Sequence, residues 1–154
     1  MKTKFKLAFM ECAETFAKLS SAKRAQVGAI IVKENRIISI GYNGMPAGWD
    51  NQCEYYDPNT IESWMSESDH EHYGKLISKP EVLHAETNAL AKVAQSSESS
   101  AGAAMFCTHM PCMDCAKLIY QSGIVQVYYR NKYKAARGSG SEFLEKSGVA
   151  LEQI

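Results

Sequence analysis

Long apolar runs are missing from this sequence. No stretch of its 154 residues approaches the ~20 apolar residues that cross a bilayer, so no membrane partner is expected. An export signal is missing as well. The basic start MKTKFKLAFMECAETF is interrupted by Glu11 and Glu14 and reads as an amphipathic first helix, with Phe5, Phe9, Cys12, Ala13 and Phe16 at helical spacing. Net charge is zero, 17 basic against 17 acidic residues, which weighs against a nucleic-acid polymer as partner. There is no internal repeat, and SSESSAG is the one low-complexity stretch, a solvated linker. Lys and Arg are absent from residues 50–72, which carry seven acids, and acids are absent from residues 130–137, which carry Arg130, Lys132, Lys134 and Arg137. Each run taken alone reads as solvated surface.

Five cysteines are present: Cys12, Cys53, Cys107, Cys112 and Cys115. An odd count without an export signal argues for a reducing, cytoplasmic setting, where thiols serve metals or catalysis more often than disulfides. The length fits one domain spanning residues 1–154, since two would each be too small to build a good core.

The pattern along the chain gives the fold class. After the first helix, β-branched runs at 27–32 and 36–40 flank Lys33, Glu34 and Asn35, a hairpin with a short loop. GYNGMPAGWDNQ is a loop. Residues 50–80 read as polar and irregular, with one short helix near 61–65. A helix runs from Leu83 to about Ala94, AAMFCTH is a buried strand, and CMDCAKLIYQSG is a helix capped by Gly123. IVQVYYR is a strand, GSGSEFLEKSG a short helix with Ser139 and Glu142 spaced as a capping box, and VALEQI a last strand. This order predicts an α/β, three-layer α/β/α architecture around a five-stranded mixed sheet.

Chemistry concentrates at two helix starts. In PEVLHAETNAL, His84 and Glu86 interrupt an apolar run. Twenty-eight residues after His84, MPCMDC places Cys112 and Cys115 three apart where the next helix begins. That spacing turns both sulfurs toward one point, and a helix N-terminus favours thiolates. With His84 they make a His/Cys/Cys set. Three protein ligands with a fourth position open are how a catalytic zinc is held; a purely structural zinc is the alternative. Glu86 reaches a metal-activated water without ligating and is placed as general acid/base.

HAETNAL and PCMDCAKLIYQSGI resemble the zinc-dependent cytidine deaminase superfamily, whose signature is H-x-E followed by P-C-x-x-C. GYNGMPAG after the hairpin narrows the resemblance to the deoxycytidylate (dCMP) deaminases. It covers the chain from about Lys18 to the end. It implies a cytidine-deaminase-like fold and conversion of dCMP and water to dUMP and ammonia, supplying dUMP for dTMP synthesis. It also implies that Ala85, through its N–H, and Met110, through its carbonyl, bind the pyrimidine edge. Asn43 is implied at the sugar, and Tyr133, amid its basic run, at the phosphate, with Arg24 a further phosphate candidate. Many members are homohexamers activated by dCTP and inhibited by dTTP. Gly41, Tyr42, Gly44 and Met45 resemble their regulatory loop, where Mg2+ would accompany the nucleotide. Some members carry a second, structural zinc; here Cys53, His70 and His72 are the residues left to hold one. Cys12 and Cys107 read as small buried hydrophobes, and Trp49 and Trp64 as packing anchors. Three rival readings stand beside this one. One is a tRNA adenosine deaminase, one a deaminase of another base or nucleoside, and one a catalytically silent module that senses deoxynucleotides.

Overall fold

A computed structural model describes residues 1–132 and 138–154. Helix α1 (Thr3–Ala17) buries Met10, Ala13 and Ala17 and half-buries Phe9, Cys12 and Phe16, while Phe5 stays exposed. Strands β1 (Gly28–Lys33) and β2 (Arg36–Tyr42) form the expected hairpin, but Lys33 belongs to the strand. Its turn is Glu34 and Asn35, at φ 51° and 59°. Two successive positive φ values match the right-handed twist of the strands they join.

Beyond the hairpin the chain leaves the sheet and returns as helix α3 (Ala85–Ala94), strand β5 (Ala104–His109), helix α4 (Met113–Gln121), strand β6 (Gln126–Asn131), helix α5 (Ser141–Lys146) and strand β7 (Ala150–Gln153). The five strands lie in the order β2-β1-β5-β6-β7. β1 is antiparallel to β2 and β5, whereas β5, β6 and β7 run parallel. The sheet is mixed, as expected. Its residues alternate between two cores. Ile30, Val32, Phe106 and Tyr128 face α1; Ala29, Ile31, Met105, Cys107 and Val127 face α3 and α4. On the α1 side the Phe106 and Tyr128 rings stack at 4.6 Å.

Two glycines let the helices approach the sheet from opposite sides. A Cβ on Gly28 would stand 2.0 Å from Ala13 O in α1, and one on Gly41 2.1 Å from Ala85 O in α3. No side chain fits either position without moving a helix backbone. Gly41→Ala is expected to destabilise the protein by about 3 kcal/mol, an overpacking cost, read as a lower midpoint in chemical denaturation. Because Ala85 adjoins the predicted metal ligand His84, zinc content should fall with it.

Residues 50–80 are more regular than the sequence suggests. Strands β3 (Glu54–Tyr56) and β4 (Leu76–Ser78) pair antiparallel around a 3-10 turn (Pro58–Thr60) and helix α2 (Glu67–Tyr73). The helix begins beyond 61–65 because Ser66 and Asp69 form a capping box: Ser66 N–H donates to Asp69 Oδ2 at 2.8 Å, and Asp69 N–H donates to Ser66 Oγ. The box expected at Ser139 and Glu142 does not form. Gly140 is the N-cap of α5, and Glu142 pairs with Lys146 at 2.7 Å. The tryptophans are not packing anchors either: Trp49 is 58% and Trp64 67% exposed. Cys107 is fully buried as expected, and Cys12 half-buried. No helix among the described residues is long and apolar enough to cross a membrane.

Candidate metal centre and active site

Both chemical motifs sit where helices start. His84 is the N-cap of α3 and Cys112 the N-cap of α4; neither spends its side chain on capping. Glu86 and Cys115 follow in the first turns. Helix α3 is laid against β1 and β2 by Ala85, Ala89 and Val93, while α4 follows β5 through Met110 and Pro111. The sheet therefore brings the two N-termini together across 28 residues of chain.

The result is compact. His84 Nδ1 lies 3.6 Å from Cys112 Sγ and 3.3 Å from Cys115 Sγ, and the three ligand atoms all fall within 4.8 Å of one another. A tetrahedral zinc with ordinary Zn–N and Zn–S bonds separates such a nitrogen and sulfur by about 3.6 Å. The donor set and its spacing suit a zinc ion. Cys112 and Cys115 are buried and His84 is exposed, so the open side lies toward the imidazole.

The electrostatics say how a cation would be received. The Cys112 thiol is pulled down to about 4, first by a hydrogen bond from Cys115 and then by the His84 ring. The same bond, with burial, pushes the Cys115 thiol well up. His84 is raised by its hydrogen bond to Cys112, against the effect of burial. Zinc must displace the proton of Cys115 and whatever share of the His84 proton is present. At pH 7 its binding is expected to release about one to two protons per ion. Calorimetry in buffers of different ionisation heat measures this, and release of none would mean that the sulfurs do not ligate. The sign follows: affinity falls as pH falls, and steepens downward as Cys112 itself protonates near 4.

Glu86 is only 4% exposed, and burial pushes its carboxyl up. Such burial disfavours the charged form of a carboxyl.

The other expected residues fall in several places. Asn43 is half-buried, with its amide oxygen accepting from Val27 N–H (2.8 Å) and its amide nitrogen donating to Ala25 O (2.9 Å). It pins residues 25–27, and its second amide N–H is what it can offer a ligand. Ala85 is buried, and as the first residue of α3 its N–H has no partner within the helix. Met110 is buried, its own N–H donating to Asn131 O at 2.9 Å. Arg24 donates to Ser78 Oγ at 3.1 Å, so β4 holds its guanidinium. Tyr133, Lys134 and Arg137 lie outside the described residues. Arg130 is paired with Glu14 at 2.8 Å, so the basic run has one charge already neutralised, and Lys132 is exposed.

Gly41, Tyr42 and Gly44 all touch the start of α3 or the chain just before it. Gly41 abuts Ala85, and Tyr42 O accepts from Asn88 Nδ2 at 2.8 Å. Gly44 bridges Leu83 in both directions, at 3.1 and 2.9 Å. Met45 follows directly. Asn88 was not anticipated; its one signal in the sequence is a polar amide four residues after His84, on the helix that carries Glu86. Ser39 likewise holds α3, donating from Oγ to Ala89 O at 2.7 Å.

The ligand atoms of Cys53, His70 and His72 do not gather into one cluster. Among the described residues His84, Cys112 and Cys115 are the one group whose ligand atoms gather closely enough. The reason is helical geometry: His70 and His72 are two apart in α2 and point to different sides. His72 lies edge-on to Tyr73 and His70 against Tyr56.

Comparison with known proteins agrees with this geometry. Residues 3–131 match the model of the cytidine and deoxycytidylate deaminase zinc-binding region. A deoxycytidylate deaminase of Enterobacteria phage T4 is 33% identical, over 84% of this chain and 79% of that protein. A human deoxycytidylate deaminase is 38% identical, over 79% of this chain and 61% of its own length. A crystal structure of dCMP deaminase from the cyanophage S-TIM5, in complex with dCMP and dUMP, superposes with a TM-score of 0.83 at 42% identity, covering 100% of this chain and 99% of that one. With a His/Cys/Cys cluster spaced for zinc on the matching fold, the chain belongs to the cytidine and deoxycytidylate deaminase family.

Proposed function

We propose that this chain, acting as one domain over residues 1–154, hydrolyses dCMP to dUMP and ammonia. The observation that carries the reading is the enclosed carboxylate of Glu86 beside the zinc-spaced trio His84, Cys112 and Cys115. The relatives named deoxycytidylate deaminase, and the similar structure holding dCMP and dUMP, support the choice of substrate. Zinc, when bound, supplies Lewis acidity that activates a water for attack at C4 of the cytosine ring. Glu86 would take one proton from that water and deliver it to N3; the hydroxyl then on C4 would give up the second, through Glu86, to the amine, so that the C4–N4 bond breaks, ammonia leaves and C4 becomes a carbonyl. The Ala85 N–H and the Met110 carbonyl orient the pyrimidine edge, Asn43 the sugar, and Tyr133 with Lys132 the phosphate, Arg24 being free to join only by leaving Ser78.

The test is ammonia release from dCMP, dCTP, deoxycytidine and cytosine offered separately. dCMP is expected to be turned over in strong preference. Equal turnover of cytosine would overturn the phosphate part of the reading. Deamination of tRNA is not expected from a chain with no net charge.

Regulation belongs to the same reading. Residues 41–45 are tied to α3 through Gly41, Tyr42 and Gly44, so a nucleotide bound there, with Mg2+, would act directly on the helix that carries His84 and Glu86. dCTP is expected to raise the rate at low dCMP and dTTP to lower it; no response to either removes this part. A cytoplasmic homohexamer supplying dUMP for dTMP synthesis completes the proposal, with light scattering as the check on assembly.

A further inference from the structure

The GSGSEFLEKSG stretch has so far no part in the chemistry, yet its first residues lie against the metal loop. Residues 138–140 run antiparallel to residues 111–113, with Ser139 opposite Cys112. Gly140 N–H donates to Pro111 O at 3.1 Å, and Met113 N–H donates to Gly138 O at 3.3 Å. The second bond answers a need. First-turn amides of a helix have no partner within it, and an N-cap side chain serves only that of N2 or N3. Met113 holds the first of these amides, N1, which no N-cap side chain reaches; the Gly138 carbonyl accepts from it.

The two glycines are required for different reasons that meet at the same loop. A Cβ on Gly140 would stand 2.6 Å from Pro111 O, 2.8 Å from Cys112 O and 2.7 Å from Ala116 Cβ, although its φ of −75° suits any residue. Gly138 has open space around it but a φ of 91°. At one position space excludes a side chain, at the other the backbone does.

We propose that residues 138–140 are a clip that positions Cys112 for zinc, Gly140 by backbone contact with no room for a side chain and Gly138 by accepting from the first amide of α4. The inference rests on the reading of His84, Cys112 and Cys115 as a zinc site. Gly140 and Gly138 are positioning residues: they touch neither metal nor substrate.

The test measures zinc affinity by competition with a chromophoric chelator, together with thermal unfolding with and without zinc. Three variants are compared with the wild type. Gly140→Ala is expected to weaken zinc binding about 10–100-fold, the effect of disturbing groups behind metal ligands. Gly138→Ala and Gly148→Ala are a matched pair: both positions have positive φ, 91° and 79°, and nothing within 4 Å of an added Cβ. Gly148 closes the far end of α5. Both should unfold at lower temperature, but only Gly138→Ala should also bind zinc several-fold more weakly and gain less stability from it. Wild-type zinc affinity in folded Gly140→Ala would overturn the clip. Should that variant fail to fold, a Gly138→Ala protein indistinguishable from Gly148→Ala would overturn it equally. A wild-type chain that holds no zinc would overturn the metal site itself, and the clip with it.

Discussion

Glu86→Gln is expected to lower kcat on dCMP by about 10²–10⁴-fold while zinc content stays at the wild-type level, the range ascribed to a positioned general acid/base. Glutamine keeps the volume and one acceptor oxygen but can neither take a proton from the water nor deliver one to the ring. At the middle of the range the loss equals about 4 kcal/mol of transition-state stabilisation. Burial makes the variant informative. The carboxyl is almost wholly enclosed and its pKa is already pushed up, so a neutral amide is easily accommodated there and stability should change little. A drop in KM alongside kcat would indicate relieved ground-state strain rather than lost proton transfer. Steady-state kinetics with parallel elemental analysis decides it, and a zinc-loaded variant within tenfold of wild type would remove Glu86 from the mechanism.

Cys115→Ala should have the largest effect on the metal. Apparent zinc binding energies of about 10–16 kcal/mol spread over four ligands put roughly 3–4 kcal/mol on each, or about 10²–10³-fold in affinity. The residue is fully buried and its thiol supplies the first of the hydrogen bonds that hold Cys112 as a thiolate. Its loss therefore removes a ligand and also the donor that stabilises its neighbour. Activity should vanish at ordinary zinc concentrations. Chelator-stripped wild type should lose activity likewise but regain it when zinc returns, which the variant should not. Recovery of the variant to wild-type rates by added zinc would mean that two ligands suffice.

His84, Glu86, Cys112 and Cys115 were legible because each motif is local. An imidazole two residues before a carboxylate, and two cysteines three apart, declare helix starts and ligand spacing within a few residues, and the family resemblance rests on the same letters. The strands β1 and β5 were legible for the same reason, since a β-branched or apolar run is a property of neighbours. The excursion at 50–80 was harder. Its short strands pair across 20 residues of polar chain, and its one helix is set by Ser66 and Asp69, a box of a type that failed at Ser139 because Gly140 had been drawn against Pro111. Trp49 and Trp64 look like core residues by composition, yet lie in a loop and a turn with no packed face beneath them.

The sequence by itself determined which atoms are available for chemistry and, outside residues 50–80, which segments are helix or strand, because those depend on contacts between residues close along the chain. Tertiary structure alone decided that His84 meets the two sulfurs, that Gly41 and Gly140 must lack side chains, and that Arg130 is spent on Glu14. Those are distances between elements far apart in the chain. They are set by how helices seat on the sheet, which no local pattern encodes.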